Sequence, residues 1–411
     1  MASRRFDFFF DFSCPYAYLA STQVEGLAAR TGATLVAKPV LLGGVFRARG
    51  VAQNLAGTLS PAKAKHNMED LARWAKRFDV PLNFPQGHPN KTVTALRCLL
   101  AVGEPFLPLA HRFYAAYWSE AADLSDESVV ADVLSAAGHD AVAVLERARA
   151  QDIKDELRRR TDEGLAAGLF GVPGFSVDGV LYWGQDRLNQ VERALGGTVS
   201  TGPSVTDRSG APAPTDFWFD YSSPFSYLAS CRAPSFFGDA LRWRPMLLGA
   251  VFKMVETPNV PFFAMNEAKR AWVTQDIARQ ADEAGVALRW PSGFPLKTVL
   301  PLRMTLLALE QAPERAPAFI AAVFAALWQD DASPEDVALL TRLADDAGLE
   351  GDALAEAARA DRAKELLRSE TSAAVAAGVF GAPSIVVHGG TGPQLFWGND
   401  RLELALDAAL R

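Results

Sequence analysis

Cysteine is scarce in this chain. Three occur in 411 residues, Cys14, Cys98 and Cys231, and no pair has the Cys-x-x-Cys spacing. An odd count without that spacing excludes a disulfide framework and a two-thiol redox centre. Histidine is also sparse: His66, His88, His111, His139 and His388 show no metal-ligand spacing, so no metal site is expected and they read as surface or hydrogen-bonded residues. No apolar run approaches the roughly 20 residues of a membrane span. The opening Met-Ala-Ser-Arg-Arg is followed by Phe6-Asp-Phe-Phe-Phe-Asp11, whose acids break up any secretion-signal core of roughly 7–15 apolar residues. The expectation is therefore a cytoplasmic protein with no membrane contact. Net charge is −7 and no basic stripe stands out, which argues against a nucleic-acid partner. The hydrophobic (49%) and charged (22%) fractions are those of a globular protein with an ordinary core.

What is present is a repetition. Asp11-Phe-Ser-Cys14-Pro-Tyr-Ala-Tyr-Leu-Ala20 returns as Asp220-Tyr-Ser-Ser223-Pro-Phe-Ser-Tyr-Leu-Ala229. Leu41-Leu-Gly-Gly-Val-Phe46 returns as Leu247-Leu-Gly-Ala-Val-Phe252, and Lys91-Thr-Val93 as Lys297-Thr-Val299. Phe170-Gly-Val-Pro173 with Trp183-Gly-Gln-Asp-Arg-Leu188 returns as Phe380-Gly-Ala-Pro383 with Trp397-Gly-Asn-Asp-Arg-Leu402. A period near half the chain is far longer than the roughly 20–50 residues of a solenoid repeat. It implies two whole domains, each with its own core. The stretch 196–214 is aperiodic and dominated by Gly, Ser, Thr and Pro, the composition of a linker. The expected domains are 1–195 and 215–411.

Phe6–Phe12 and Phe217–Tyr221 read as strands that end in a turn. Pro15–Arg30 reads as one helix with proline in its first turn, where the missing N–H does no harm. Cys14 and Ser223 therefore fall at a strand-to-helix junction. Thr34–Val40 and Leu241–Leu247 read as second strands. Long helical stretches follow, near 60–168 and 264–378, supported by amphipathic runs such as Met68-Glu-Asp-Leu-Ala-Arg-Trp-Ala-Lys-Arg77. Short extended pieces, Gly174–Tyr182 and Ser384–Phe396, and a last helix from Arg187 or Arg401 close each domain. The order makes an α/β fold: a tandem duplication of a thioredoxin-like domain, each copy interrupted by a large helical insertion.

Of the three thiols, Cys98 lies in an apolar helical run and Cys231 in the helix after Ser223, so both read as buried small hydrophobes. Cys14 alone is placed for thiol chemistry. At a helix N-terminus its pKa is expected to be depressed.

Asp-x-x-Ser-Pro-Phe-Ser-Tyr-Leu-Ala, Phe-Gly-x-Pro and Trp-Gly-Asn-Asp-Arg-Leu, in this order, resemble 2-hydroxychromene-2-carboxylate isomerases. These are bacterial relatives of kappa-class glutathione transferases in the DsbA-like branch of thioredoxin folds. The resemblance covers nearly all of each half. It implies that Val172-Pro173 and Ala382-Pro383 are cis and face the first helix of their own domain. It implies glutathione as cofactor, with Ser223 holding the sulfur as thiolate. Ala382, beside Pro383, would offer backbone groups to the cysteinyl part, and Asn399 and Asp400 would hold the γ-glutamyl end. Asn259 is the nearest match to a further glutathione-binding asparagine. In the first half the same places are taken by Cys14, Val172, Pro173, Gln185 and Asp186, with glutamine where the family has asparagine.

The implied activity is a glutathione-dependent isomerisation of an aromatic or conjugated small molecule. A kappa-like transferase is one alternative, and a monothiol oxidoreductase through Cys14 another. The relatives are homodimers, so the fused copies suggest an intramolecular pseudo-dimer. Each residue also has a plainer reading. Ser223 suits a helix N-cap, Asn399-Asp400-Arg401 suits the start of the last helix, and Trp183 and Trp397 suit packing. The second half, with its fuller motif set, is expected to be the active one.

Overall fold

The structure, a computed structural model, describes residues 4–54, 56–198, 210–258, 260–390 and 392–411. The central part of the expected linker and Asn259 lie outside the described residues. The first domain has a four-stranded sheet of β1 (Arg5–Phe10), β2 (Thr34–Pro39), β3 (Gly174–Val177) and β4 (Val180–Trp183), in the order β2-β1-β3-β4. The second repeats it with β5 (Thr215–Phe219), β6 (Leu241–Pro245), β7 (Ser384–Gly389) and β8 (Gly392–Trp397), in the order β6-β5-β7-β8. In each sheet the first two strands are parallel and the last two form an antiparallel hairpin.

The aromatic run explains why β1 is central. Phe6, Phe8 and Phe10 are fully buried and Phe9 is nearly so, which requires cover on both faces of the strand. Phe8 stacks on Phe10 at 5.2 Å between ring centroids and on Phe175 of β3 at 5.5 Å. Burial of each such ring stabilises the fold by about 1.5–3 kcal/mol. In β5 the same job falls to Phe217, Trp218 and Phe219.

The helix expected over Pro15–Arg30 is two helices, Pro15–Ser21 and Val24–Thr31. The interruption has a local cause: Ser21 Oγ donates to the Tyr18 carbonyl (2.7 Å) and Thr22 Oγ1 to that of Leu19 (2.8 Å). Side-chain hydroxyls thus compete with the backbone ladder at that point. The inserts are helical as expected. In the second domain they include Glu267–Ala284, Val299–Gln311, Ala316–Trp328 and Asp361–Ala376. No helix among the described residues is long and apolar enough to cross a membrane.

Contacts divide the chain into two compact units, and neither is one continuous stretch. The first comprises 1–59, 68–204 and 266–272; the second comprises 60–67, 205–265 and 273–411.

Candidate active site

Each candidate site forms where the first strand of its sheet turns into the first helix. In the second unit β5 ends at Phe219, and Asp220-Tyr-Ser-Ser223 makes the turn into helix Pro224–Ser230. Ser223 is buried, with extended backbone (φ −100°, ψ 118°), and caps the helix by accepting from the Ser226 N–H at 3.2 Å. Its hydroxyl donates to the Ala382 carbonyl at 3.1 Å, and the Ala382–Pro383 bond is cis. The capping role and the role facing the proline loop therefore coexist in one side chain.

In the first unit Cys14 has nearly the same backbone (φ −102°, ψ 116°) and makes no side-chain cap. Its Sγ donates to the carbonyl of Val172, before cis Pro173, also at 3.1 Å. The expected depression of its pKa does not occur. Burial pushes the thiol up to about 12, against smaller opposing effects of the Ala17 and Tyr16 backbone N–H groups, and the nearby Asp11 adds to the rise. Desolvation of a thiolate outweighs the helix end here. Cys98 is buried as expected, but Cys231 is exposed; it ends helix Pro224–Ser230 rather than lying inside it.

The turn is anchored by an aspartate whose role the motif blocks alone did not reveal. Asp220 accepts from the Ser222 N–H (2.9 Å), the Leu248 N–H (2.7 Å) and the Thr298 hydroxyl (2.6 Å). Asp11 accepts from Ser13 N–H (3.0 Å), Leu42 N–H (2.7 Å) and Thr92 Oγ1 (2.7 Å). The recurring Leu-Leu-Gly and Lys-Thr-Val blocks thus converge on one carboxylate in each copy. The signal was their shared recurrence. Burial raises the Asp220 carboxyl above its ordinary range, against the three donors.

The remaining motif closes the site. Trp397 packs on Phe380 (5.1 Å), and its buried Nε1 faces Gly381, where a Cβ would stand 2.5 Å away; only glycine fits. Trp183 and Gly171 repeat this at 2.9 Å. The packing reading of both tryptophans therefore holds. Gly398 has φ 116°, a conformation that favours glycine, and it delivers Asn399 and Asp400 into a short 3-10 turn. Asn399 is buried, and its Nδ2 donates to Gln280 Oε1 at 2.7 Å; Gln280 in turn donates to buried Asp276. Asp400 lies 3.0 Å from Arg401.

The first unit lacks this support. Gln185 is buried, and its Nε2 has no hydrogen-bond partner among the described residues. The register that pairs Lys91 with Lys297 pairs Trp74 with Gln280, and an indole offers no acceptor. Asp186 lies 3.2 Å from Arg187.

His66, read from sequence as surface or satisfied, is a buried member of the second unit. Its Nε2 accepts from the Trp397 N–H at 3.2 Å, and its ring meets Phe380 edge-on at 5.5 Å. Lys63 lies over the Trp397 ring at 4.9 Å, and burial lowers its pKa. In the first unit the equivalent lysine, Lys269, lies over Trp183 at 5.1 Å, while His66 is replaced by Trp272, which donates to the Leu181 carbonyl at 3.1 Å.

The family is decided by a match running through both halves: the model described as DSBA-like thioredoxin domain fits residues 5–196 and again 215–409. The chain belongs to the DsbA-like thioredoxin family. Within that family it is similar to 2-hydroxychromene-2-carboxylate isomerase of Sphingobium xenophagum, 31% identical over 203 residues, covering 47% of this chain and 98% of that protein. It is also similar to glutathione S-transferase kappa 1 of Caenorhabditis elegans, 27% identical over 207 residues, covering 46% and 90%. A solved 2-hydroxychromene-2-carboxylate isomerase superposes with a TM-score of 0.42 at 25% identity, covering 47% of this chain and 94% of that one. Each of these relatives spans about half of the chain, as a DsbA-like protein with two tandem copies requires.

Proposed function

We propose that this DsbA-like protein is a glutathione-dependent isomerase of an aromatic or conjugated electrophile, working in the cytoplasm, with the second unit as its active one. The observation that carries the reading is the pairing of Ser223, 3.1 Å from the carbonyl before cis Pro383, with a buried Asn399 that Gln280 holds in place. The residues present fit glutathione. Ser223 would face its sulfur, Ala382 its cysteinyl backbone, and Asn399 and Asp400 its γ-glutamyl end.

Glutathione would supply a thiolate nucleophile that is regenerated at the end of the cycle. The chain would lower the cost of that charge. A cysteine-like thiol ionises near pH 8.5, and each unit of lowering needs about 1.4 kcal/mol of differential stabilisation. The Ser223 hydroxyl, which donates to Ala382 in this structure, would turn its proton toward the sulfur. Its own oxygen would still accept from the Ser226 N–H and stay fixed. An oxidoreductase centred on Cys14 is disfavoured by the burial that keeps this thiol protonated. A transferase would use the same residues but consume glutathione.

Calorimetric titration with glutathione tests the reading, and one bound equivalent per chain is expected. No binding would remove the proposal. Ser223→Ala should lower turnover of a 2-hydroxychromene-2-carboxylate by about a hundredfold, the order seen when a single charge-stabilising donor is lost. It should lower stability by only about 1 kcal/mol, as for loss of an N-cap. Unchanged turnover would take Ser223 out of the mechanism.

A further inference from the structure

In the second unit four aromatic rings form one cluster, different in make-up from the cluster of Phe84, His88, Tyr117 and Trp118 in the first. Phe262 and Phe263 stand on the short helix Pro261–Ala264, and Trp290 and Phe294 on the loop that leads to Thr298. Phe262 lies 5.3 Å from Trp290, 6.0 Å from Phe294 and 5.8 Å from Phe263 between ring centroids; Trp290 and Phe294 are 4.9 Å apart. The cluster is not sealed in the core: Phe263 is 53% exposed, and the other three rings are partly buried. Leaving a phenylalanine ring half in water forgoes part of the stabilisation its burial would bring.

The loop that carries Trp290 and Phe294 is tied to the turn of Ser223. After Phe294 it ends at Thr298, bound to the Asp220 carboxylate at 2.6 Å. Trp290 also meets Trp328 edge-on at 5.9 Å, and Trp328 donates to the Tyr221 carbonyl, two residues before Ser223, at 2.8 Å. Two connections, through Thr298 and through Trp328, therefore link the loop of Trp290 and Phe294 to the turn bearing the proposed sulfur-holding residue, and Phe262 joins it by packing on both rings.

The first repeat provides the contrast. The register that pairs Lys91 with Lys297 sets Ala56 and Gly57 opposite Phe262 and Phe263, Phe84 opposite Trp290 and His88 opposite Phe294. Two of four rings are missing there and a third is an imidazole. Phe84 and His88 there pack with Tyr117 and Trp118 instead, so what the second repeat adds is the pair Phe262 and Phe263 beside the better-supported Asn399.

We propose that Phe262, Phe263, Trp290 and Phe294 form the subsite that binds the aromatic ring of the electrophile and set the preference of the second unit for planar aromatic substrates. The inference rests on the proposed glutathione-dependent function but concerns residues that do not touch glutathione in that reading. Ring faces and edges offered by four side chains bind a planar ring through offset-stacked and edge-to-face contacts, and they carry no charge that would select an aliphatic anion.

The test uses the full chain and two separate calorimetric titrations, one with glutathione and one with 1-naphthol, an unreactive planar aromatic. The variants are Phe263→Ser, at an exposed position, and Phe262→Ala/Phe263→Gly, which installs the residues of the first repeat. The expected result is 1-naphthol binding to the wild type, weakened about tenfold in both variants, with glutathione affinity unchanged. In turnover of a 2-hydroxychromene-2-carboxylate the loss should appear in KM rather than kcat. A wild type that binds no 1-naphthol, or variants that bind it as tightly as the wild type, would overturn the subsite. Aromatic binding without any glutathione binding would support the subsite and dismiss the glutathione reading alone.

Discussion

Cys14 and Ser223 face the carbonyl before a cis proline at the same 3.1 Å, yet the two side chains differ in what they can do there. A hydroxyl keeps its proton at any physiological pH and can donate it to a bound thiolate. A buried thiol must lose its proton to react, and burial opposes that loss. The pKa of Cys14 is pushed from 9.0 to about 12. The sign follows. Because the folded value lies above the unfolded one, the contribution of Cys14 to stability is complete below pH 9 and is lost as pH rises toward 12. Alkylation should report this directly. At pH 8 iodoacetamide is expected to modify exposed Cys231 first and to leave Cys14 and Cys98, both raised to about 12, unmodified until the chain unfolds. Peptide mass spectrometry after timed quenching would read the order, and rapid labelling of Cys14 would contradict the burial argument.

At the scale of elements, Asp220 is where a strand end, a helix start and a loop meet. Its carboxylate accepts from three donors, all between 2.6 and 2.9 Å. Asp220→Asn would place an amide donor against at least one of those donors, and a buried hydrogen bond left unmade costs about 1–3 kcal/mol. The second unit should therefore unfold earlier in urea, by about that amount, when followed by tryptophan emission. Asp11→Asn should do the same to the first unit. An unshifted transition would mean that the loops hold the turn without the aspartate. The carboxyl of Asp220 is raised by burial, so its own term favours the fold at acid pH and is lost as pH rises through the folded pKa. The penalty of the asparagine variant should accordingly be largest at low pH and shrink as pH rises through that pKa.

At the scale of the whole molecule, the two compact units exchange short segments in sequence, 60–67 for 266–272. The second unit is thus not the same as the second repeat. A fragment spanning 210–411 would lack His66, which accepts from the Trp397 backbone at 3.2 Å, and Lys63, which lies over the Trp397 ring at 4.9 Å. Such a fragment is expected to melt several degrees below the same unit in the intact chain, since about 1 kcal/mol shifts a domain of this size by roughly 2–4 °C. Differential scanning calorimetry of the fragment and the intact chain makes the comparison, and equal melting temperatures would show that residues 60–67 add nothing to the unit.

Much of this protein was legible in the order of its residues. The duplication and the thioredoxin-like sheet with its helical insert follow from local patterns repeated at matched spacing, whereas the facing of Cys14 and Ser223 to Val172-Pro173 and Ala382-Pro383 was expected only from the family resemblance. Periodicity and turn chemistry act over a few residues, so a sequence can carry them. Other features depend on contacts between residues far apart in the chain. The exception is the break after Ser21, which is local but comes from hydroxyls whose choice of partner the helical pattern did not specify. The role of Asp11 and Asp220 needed three separate segments to meet at one carboxylate. The raised pKa of Cys14 needed burial from all sides, which overrode the local effect of a helix end. Asn399 found Gln280 and Gln185 did not, because Trp74 stands in its place. A sequence determines which groups are available, and only the tertiary structure decides which are desolvated together, since desolvation depends on neighbours the chain brings from a distance.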